Sequence, residues 1–304
     1  MNTEAKAMHE PFLGKDVTAT SMPASRVFYW SVRRELWENR SIYMAPMAVA
    51  AVVLVAFSFS SVLGIWEQLL RLVPRRHQMP YDMAAGFLML TGIMVSVFYC
   101  LDALQSERRD RSILFWKSLP VSDVTTVLAK ASIPLVVVPL LTFAITVVMQ
   151  WSMLLVSSAV LLVSGDSVSV LWRNTPVASM WALLLYHLVT AHAIWPFPIY
   201  CWLLLVSGWA RRATFLWAVL PLVAIAGVEG IVFRTRHFAA AIGRRFIGDA
   251  PAMKMTPDSM GLDPLTTHVT VARFVTSPGF WIGLAVSAIF LAAAVRLRRS
   301  QGPI

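Results

Sequence analysis

Six stretches of this sequence, 45–65, 83–101, 131–163, 177–209, 213–233 and 279–295, hold almost no charged residue. A helix needs about 20 apolar residues to cross the hydrocarbon core of a bilayer, because in lipid every backbone amide must be satisfied inside the helix. The six therefore read as the spans of an all-α polytopic membrane protein with six transmembrane helices. A content of 58% hydrophobic against 14% charged residues over 304 positions excludes ordinary soluble domains. The third and fourth stretches are about half as long again as a crossing requires, so each must tilt, kink or protrude. Pro134, Pro139, Pro196 and Pro198 are placed to kink them. The fourth also admits a reading as two short re-entrant pieces broken at Trp195-Pro196-Phe197-Pro198.

The formal charge is +10, yet the basic residues gather in the gaps between apolar runs. That placement suits phospholipid headgroups and the positive-inside rule, and it does not form a nucleic-acid face. An even number of spans leaves both termini on one side. With that side inside, sixteen of the 26 Lys and Arg residues are internal, which favours a cytoplasmic N-terminus. The expected division is a cytoplasmic N-terminus over 1–44, a six-span domain over 45–295 and a cytoplasmic basic tail over 296–304. Within the domain, 102–130 is a cytoplasmic loop and 234–278 an external segment. The polar first forty residues show no early apolar core of a cleavable signal, so the first span is expected to direct insertion. Cys100 and Cys201 lie in or beside apolar runs and read as packed thiols, neither a disulfide nor a metal site.

Ahead of the first span, Phe28, Val32 and Leu36 recur every four residues, with Trp30 and Trp37 a heptad apart and Arg26, Arg33, Arg34 and Arg40 between them. This pattern predicts a helix lying in the headgroup layer. The loop after the second span differs. Glu107, Arg108, Arg109, Asp110 and Arg111 run directly into Ile113, Leu114, Phe115 and Trp116. At 100° per residue those four apolar side chains point in separate directions, so one lipid-facing stripe does not account for them. A short helix apolar all round, rimmed by arginines, reads as a plug for a groove on another protein. Leu119-Pro120 closes it, and Ser122 or Asp123 can cap the helix that becomes the third span.

This stretch, ERRDRSILFWKSLPVSDVTTVLAK, resembles the loop after the second span of bacterial ABC-transporter permeases of the type-2 exporter class. Those loops run from a glutamate through basic residues and a short helix to a Leu-Pro turn and a lysine opening the next span. Glu107, Leu119, Pro120 and Lys130 are the matching positions. The layout is similar too: an interfacial N-terminal helix, six spans and a long segment between spans five and six. The resemblance implies a bacterial inner-membrane permease whose loop, Glu107 to Lys117 with Leu119 and Pro120, carries a coupling helix docking into a separate ATPase subunit. It also implies a dimer, expected to be a homodimer, served by two ATPase copies that hold ATP and magnesium. The chain has no phosphate-binding loop of its own: its one Gly-Lys pair, Gly14-Lys15, is followed by Asp16, and His9 stands where the first glycine is needed. It is therefore expected to be no enzyme and to bind no cofactor.

Inside the membrane the candidates are few. Glu229 is the one acid of the fifth span, close to its outer end. His187 and His192 lie five residues apart, about 140° around a helix, which suits packing better than a shared metal. No paired carboxylates, nucleophile–base pair or metal-ligand set stands out. Two rivals stay open: an ion-gradient-driven secondary transporter, and a membrane-embedded enzyme or haem subunit. In the external segment, RHFAAAIGRRFIG predicts a surface-lying helix that covers the apolar mouth with Arg244 and Arg245 turned to phosphate or water.

Overall fold

The computed structural model describes residues 23–64, 79–112, 114, 121–247 and 274–300. Among these there is no strand. Among the described residues twelve α-helices follow one another: α1 Ala24–Glu38, α2 Ser41–Val62, α3 Met79–Asp102, α4 Gln105–Arg109, α5 Asp123–Ser132, α6 Val138–Ser164, α7 Val168–Asn174, α8 Val177–His187, α9 Phe197–Trp209, α10 Thr214–Val228, α11 His237–Ile247 and α12 Pro278–Ser300. Three π-helical segments, Ile133–Val137, Leu188–Ile194 and Glu229–Phe233, interrupt or extend them. Six continuous helical stretches are long and apolar enough to cross a membrane, and the chain is an all-α polytopic membrane protein.

The overlong spans resolve in two ways. The third is a continuous helical stretch of 42 residues, Asp123–Ser164, with its π-helical turn at Pro134 just before Pro139. A proline removes one backbone donor and pushes on the preceding turn, and widening to a π-turn absorbs that mismatch. The fourth breaks. Helix α8 runs into the π-segment Leu188–Ile194, the chain turns at Trp195-Pro196, and α9 restarts at Phe197. Its 177–194 portion alone is long enough to cross, and α9 is a shorter apolar helix.

Most span hydroxyls satisfy themselves against their own helix. Ser58, Ser60 and Ser61 donate to the carbonyls of Leu54, Ala56 and Phe57 at 2.8 Å, and Thr91 donates to Phe87 at 2.8 Å. This is how polar side chains are tolerated where no water competes. The core falls into two main patches: one around Ile42, Tyr99, Ile133, Tyr200 and Leu204, the other around Phe57, Tyr81, Leu88, Met149 and Met153. Helix α10 stands at the periphery, with Phe215, Leu216, Leu220, Val223 and Val228 exposed. In a membrane protein such a surface faces lipid or another span.

Candidate functional site

At one end of the bundle four elements converge on a cluster of buried charges. The amphipathic α1 buries Glu35, which falls on the Phe28–Val32–Leu36 face and is 1% exposed. Both Glu35 carboxylate oxygens accept from Lys130 Nζ, at 2.9 and 3.0 Å. Arg34 Nη2 donates to Glu35 at 2.7 Å, and the Tyr99 hydroxyl donates to it at 2.8 Å. Burial by itself pushes the Glu35 carboxyl up; the Lys130 ammonium and the Arg34 guanidinium outweigh it and hold Glu35 below the ordinary glutamate value.

Glu107 is the second acid of the cluster. It lies 3.1 Å from Lys130 Nζ and 3.2 Å from Arg34 Nη2, and it accepts from Arg298 Nη1. Arg298, near the end of α12, also donates through Nε to Asp123 at 3.0 Å. Three carboxylates, Glu35, Glu107 and Asp123, thus face three cations drawn from α1, α5 and α12, and the exposed Glu38 adds a fourth acid 3.5 Å from Arg34 Nε. The balance matters because a buried charge left without a partner costs several kcal/mol.

Local chemistry sets Glu107 in place. After α3 the chain turns at Ala103-Leu104, and Ser207 Oγ, at the end of α9, accepts the amides of Leu104 and Gln105 at 2.9 and 3.0 Å. Arg108 Nη1 donates to the Gly208 carbonyl at 2.6 Å, and Thr214 bonds Gln105. On the far side of the loop, Ser122 caps α5 by accepting from the Thr125 amide at 3.1 Å, one of the two caps expected.

The sequence-predicted docking residues therefore divide. Glu107 and Arg108 turn inward, 4% and 7% exposed, so Arg108 does not stand in an exposed rim: the Gly208 carbonyl draws it back onto α9. Arg109, Asp110, Arg111 and Leu114 are exposed, and Arg111 holds a left-handed backbone at φ 57°. Ile113, Phe115, Trp116, Lys117, Leu119 and Pro120 lie outside the described residues. Sequence reasoning missed Glu35 and Arg298. The signal for Glu35 was present, an acid seven residues after Phe28 on an otherwise apolar stripe; Arg298 had none, being one of several arginines near the last helix end.

The intramembrane candidates are not brought together. Glu229 takes a structural part: its Oε1 accepts from Thr235 Oγ1 at 2.9 Å and the His237 amide at 2.7 Å, and its Oε2 accepts the Phe238 amide at 2.8 Å. It thus caps α11, the helix expected in the segment after span five. Arg245 of α11 departs from expectation. It packs 4.4 Å over the Trp195 ring, donates to the Trp195 carbonyl at 3.3 Å and bonds the Gly279 carbonyl. The break in the fourth span exposes that carbonyl, which explains why an arginine turns inward here. His187 Nδ1 lies 2.9 Å from the Leu183 carbonyl of its own helix, and His192 is fully buried. Cys100 and Cys201 are free, buried thiols. Among the described residues no group of three His, Cys, Asp or Glu side chains could hold a metal. Comparisons with protein-family models, with curated proteins and with solved structures gave no match.

Proposed function

We propose that this chain is the permease subunit of an ATP-driven exporter of the bacterial inner membrane. It works as a dimer with two copies of a separate ATPase subunit, which binds the ATP and magnesium, and it carries out no hydrolysis itself. The supporting observation is the position of Glu107. This residue opens the loop after the second span and is bonded at once to α1, the third span and the last span. Beside it, Arg109, Asp110, Arg111 and Leu114 present an exposed surface. A displacement of that surface is carried through paired charges into three separate parts of the bundle, because a buried ion set moves as a unit rather than part with its partners. In this reading both termini and the charge cluster are cytoplasmic, in keeping with the distribution of Lys and Arg.

The deciding experiment is photo-crosslinking in cells from a benzophenone residue at Leu114, paired with the double change Phe115→Ala, Trp116→Ala. The expected catch is a chain bearing a phosphate-binding loop, with its association weakened at least about thirtyfold by the double change, the effect of about 2 kcal/mol typical of a buried aromatic anchor. A folded, membrane-inserted double variant that retains full ATPase association removes the reading, and so does a catch of lipid alone.

A further inference from the structure

Gly92 lies about halfway along α3, and what surrounds it is polar. A Cβ built at Gly92 would stand 3.0 Å from Thr142 Oγ1, 3.2 Å from His192 Nε2 and 2.9 Å from His192 Cε1. Two polar atoms, one from α6 and one from the π-segment of the fourth span, thus converge on the bare face of this glycine. Both residues are fully buried. Neither Thr142 Oγ1 nor either ring nitrogen of His192 has a hydrogen-bond partner within the protein. Ser96, one turn further along the same face of α3, is fully buried and bonds the Tyr200 hydroxyl, which itself donates to the His192 carbonyl at 3.1 Å. The other threonine of this stretch of α6, Thr146, behaves as expected and donates to the Thr142 carbonyl at 2.7 Å.

A buried polar group left without a partner is costly, the more so where lipid excludes solvent. Two residues from two elements meeting this way beside Gly92 mark a site with an occupant. The donor set defines its chemistry. A hydroxyl gives and accepts hydrogen bonds, and an imidazole can do both. The occupant is therefore one able to donate and accept together, and small, since Thr142 Oγ1 and His192 Nε2 lie 3.0 and 3.2 Å from one point beside Gly92.

We propose that Thr142 and His192 bind water inside the membrane, at the π-helical segment that precedes the break of the fourth span. Bound there, water supplies the partners that the imidazole lacks and lets the widened turn persist without a dry polar ring in the bundle core. The site is separate from the charge cluster and does not rest on the ATP-driven reading.

The test is proton-detected solid-state NMR of the full chain in lipid bilayers, with ring-15N histidine and no added solute. The His192 resonance is assigned by its loss in His192→Gln. Magnetisation transfer from water to the His192 ring N–H is expected, with at least a severalfold loss of that transfer in Gly92→Ala, whose new Cβ crowds the ring. The His187 signal, on its own backbone carbonyl, serves as the fold control. A wild-type His192 ring that receives no water magnetisation while His187 is intact overturns the proposal. Should Gly92→Ala not assemble, the wild-type measurement decides alone; should it assemble and keep undiminished transfer, the site is not where we place it.

Discussion

Lys130 Nζ lies 2.9 and 3.0 Å from the two carboxylate oxygens of Glu35, although 95 residues separate them, and both side chains are sealed from solvent. The same ammonium also forms an ion pair with Glu107, 3.1 Å away. Because both partners are buried, removing one is expected to cost more than the pair contributes. Lys130→Met should lower unfolding stability by about 3–5 kcal/mol. Adding Glu35→Gln should return part of that loss, with a coupling of about 1 kcal/mol or more between the two sites. Reversible denaturation of the purified protein in mixed micelles reads both; strict additivity would show that the two charges do not interact.

Acid should loosen the same cluster in a defined direction. Glu35 titrates lower in the fold than in the unfolded chain, whose ordinary value is about 4.5. The unfolded state therefore binds more protons as pH falls below that value, so this stabilisation is complete above about pH 4.5 and is lost progressively as pH drops through the depressed folded value. Thermal midpoints recorded from pH 7 down to pH 3 should stay level and then fall. In Glu35→Gln that acid limb should be shallower, at the expense of a lower plateau.

Helix α11 is fastened at both ends, by Glu229 at its start and by Arg245 near its finish. A Cβ at Gly283 would stand 2.8 Å from Arg245 Nη1, so Gly283→Ala should expel the guanidinium without disturbing the spans. Loss of its charge-assisted bonds, about 1.5–3 kcal/mol, should speed amide exchange over 237–247 by about tenfold or more. Glu229→Gln should loosen the opposite end first. Unchanged exchange in both variants would mean that α11 is held by other contacts.

Two backbone positions should respond with opposite signs. Ala213, just before α10, sits at φ 51°, where a Cβ costs about 1–2 kcal/mol, so Ala213→Gly should stabilise by about 0.5–1 kcal/mol after the glycine's extra unfolded entropy. Gly165 ends α6 at φ 78°, and Gly165→Ala should destabilise by about 1 kcal/mol. Unfolding midpoints of the two variants settle the signs.

Orientation is open to direct chemistry. In a background lacking Cys100 and Cys201, a cysteine at Ser300 should react with an impermeant maleimide only after the inner face is opened. One at Ser167, in the turn between α6 and α7, should react in intact cells. The reverse pattern would invert the proposed topology.

Apolar runs made the number and placement of the spans legible, because a stretch of about 20 uncharged residues has few other solutions in lipid. Pro134 and Pro196 foretold where the long spans deform, and the run Trp195-Pro196-Phe197-Pro198 admitted the break of the fourth; the π-turns, and the continuity of the third span through its own, were not legible, since they depend on which neighbours donate to the freed carbonyls, as Arg245 does to Trp195. The helix after span five was legible from its pattern, the inward turn of Arg245 was not. The charge cluster was only half visible. Glu107 and Lys130 stand out in the loop and at the start of a span, and Glu35 interrupts an apolar stripe. That Arg298 completes them is a fact of tertiary packing, written in no local pattern.

Arg298 is made 191 residues after Glu107, so during synthesis the acids on either side of the second loop, Glu107 and Asp123, must wait for the last helix to arrive. Until then Glu107 has Lys130 and Arg34 but not its third cation, and Asp123 lacks the guanidinium that α12 brings to it. Only a chain whose final span has inserted with its Arg298 end on the side of Asp123, where the third span begins, can complete the set, so the cluster ties the last step of insertion to the loop after the second span.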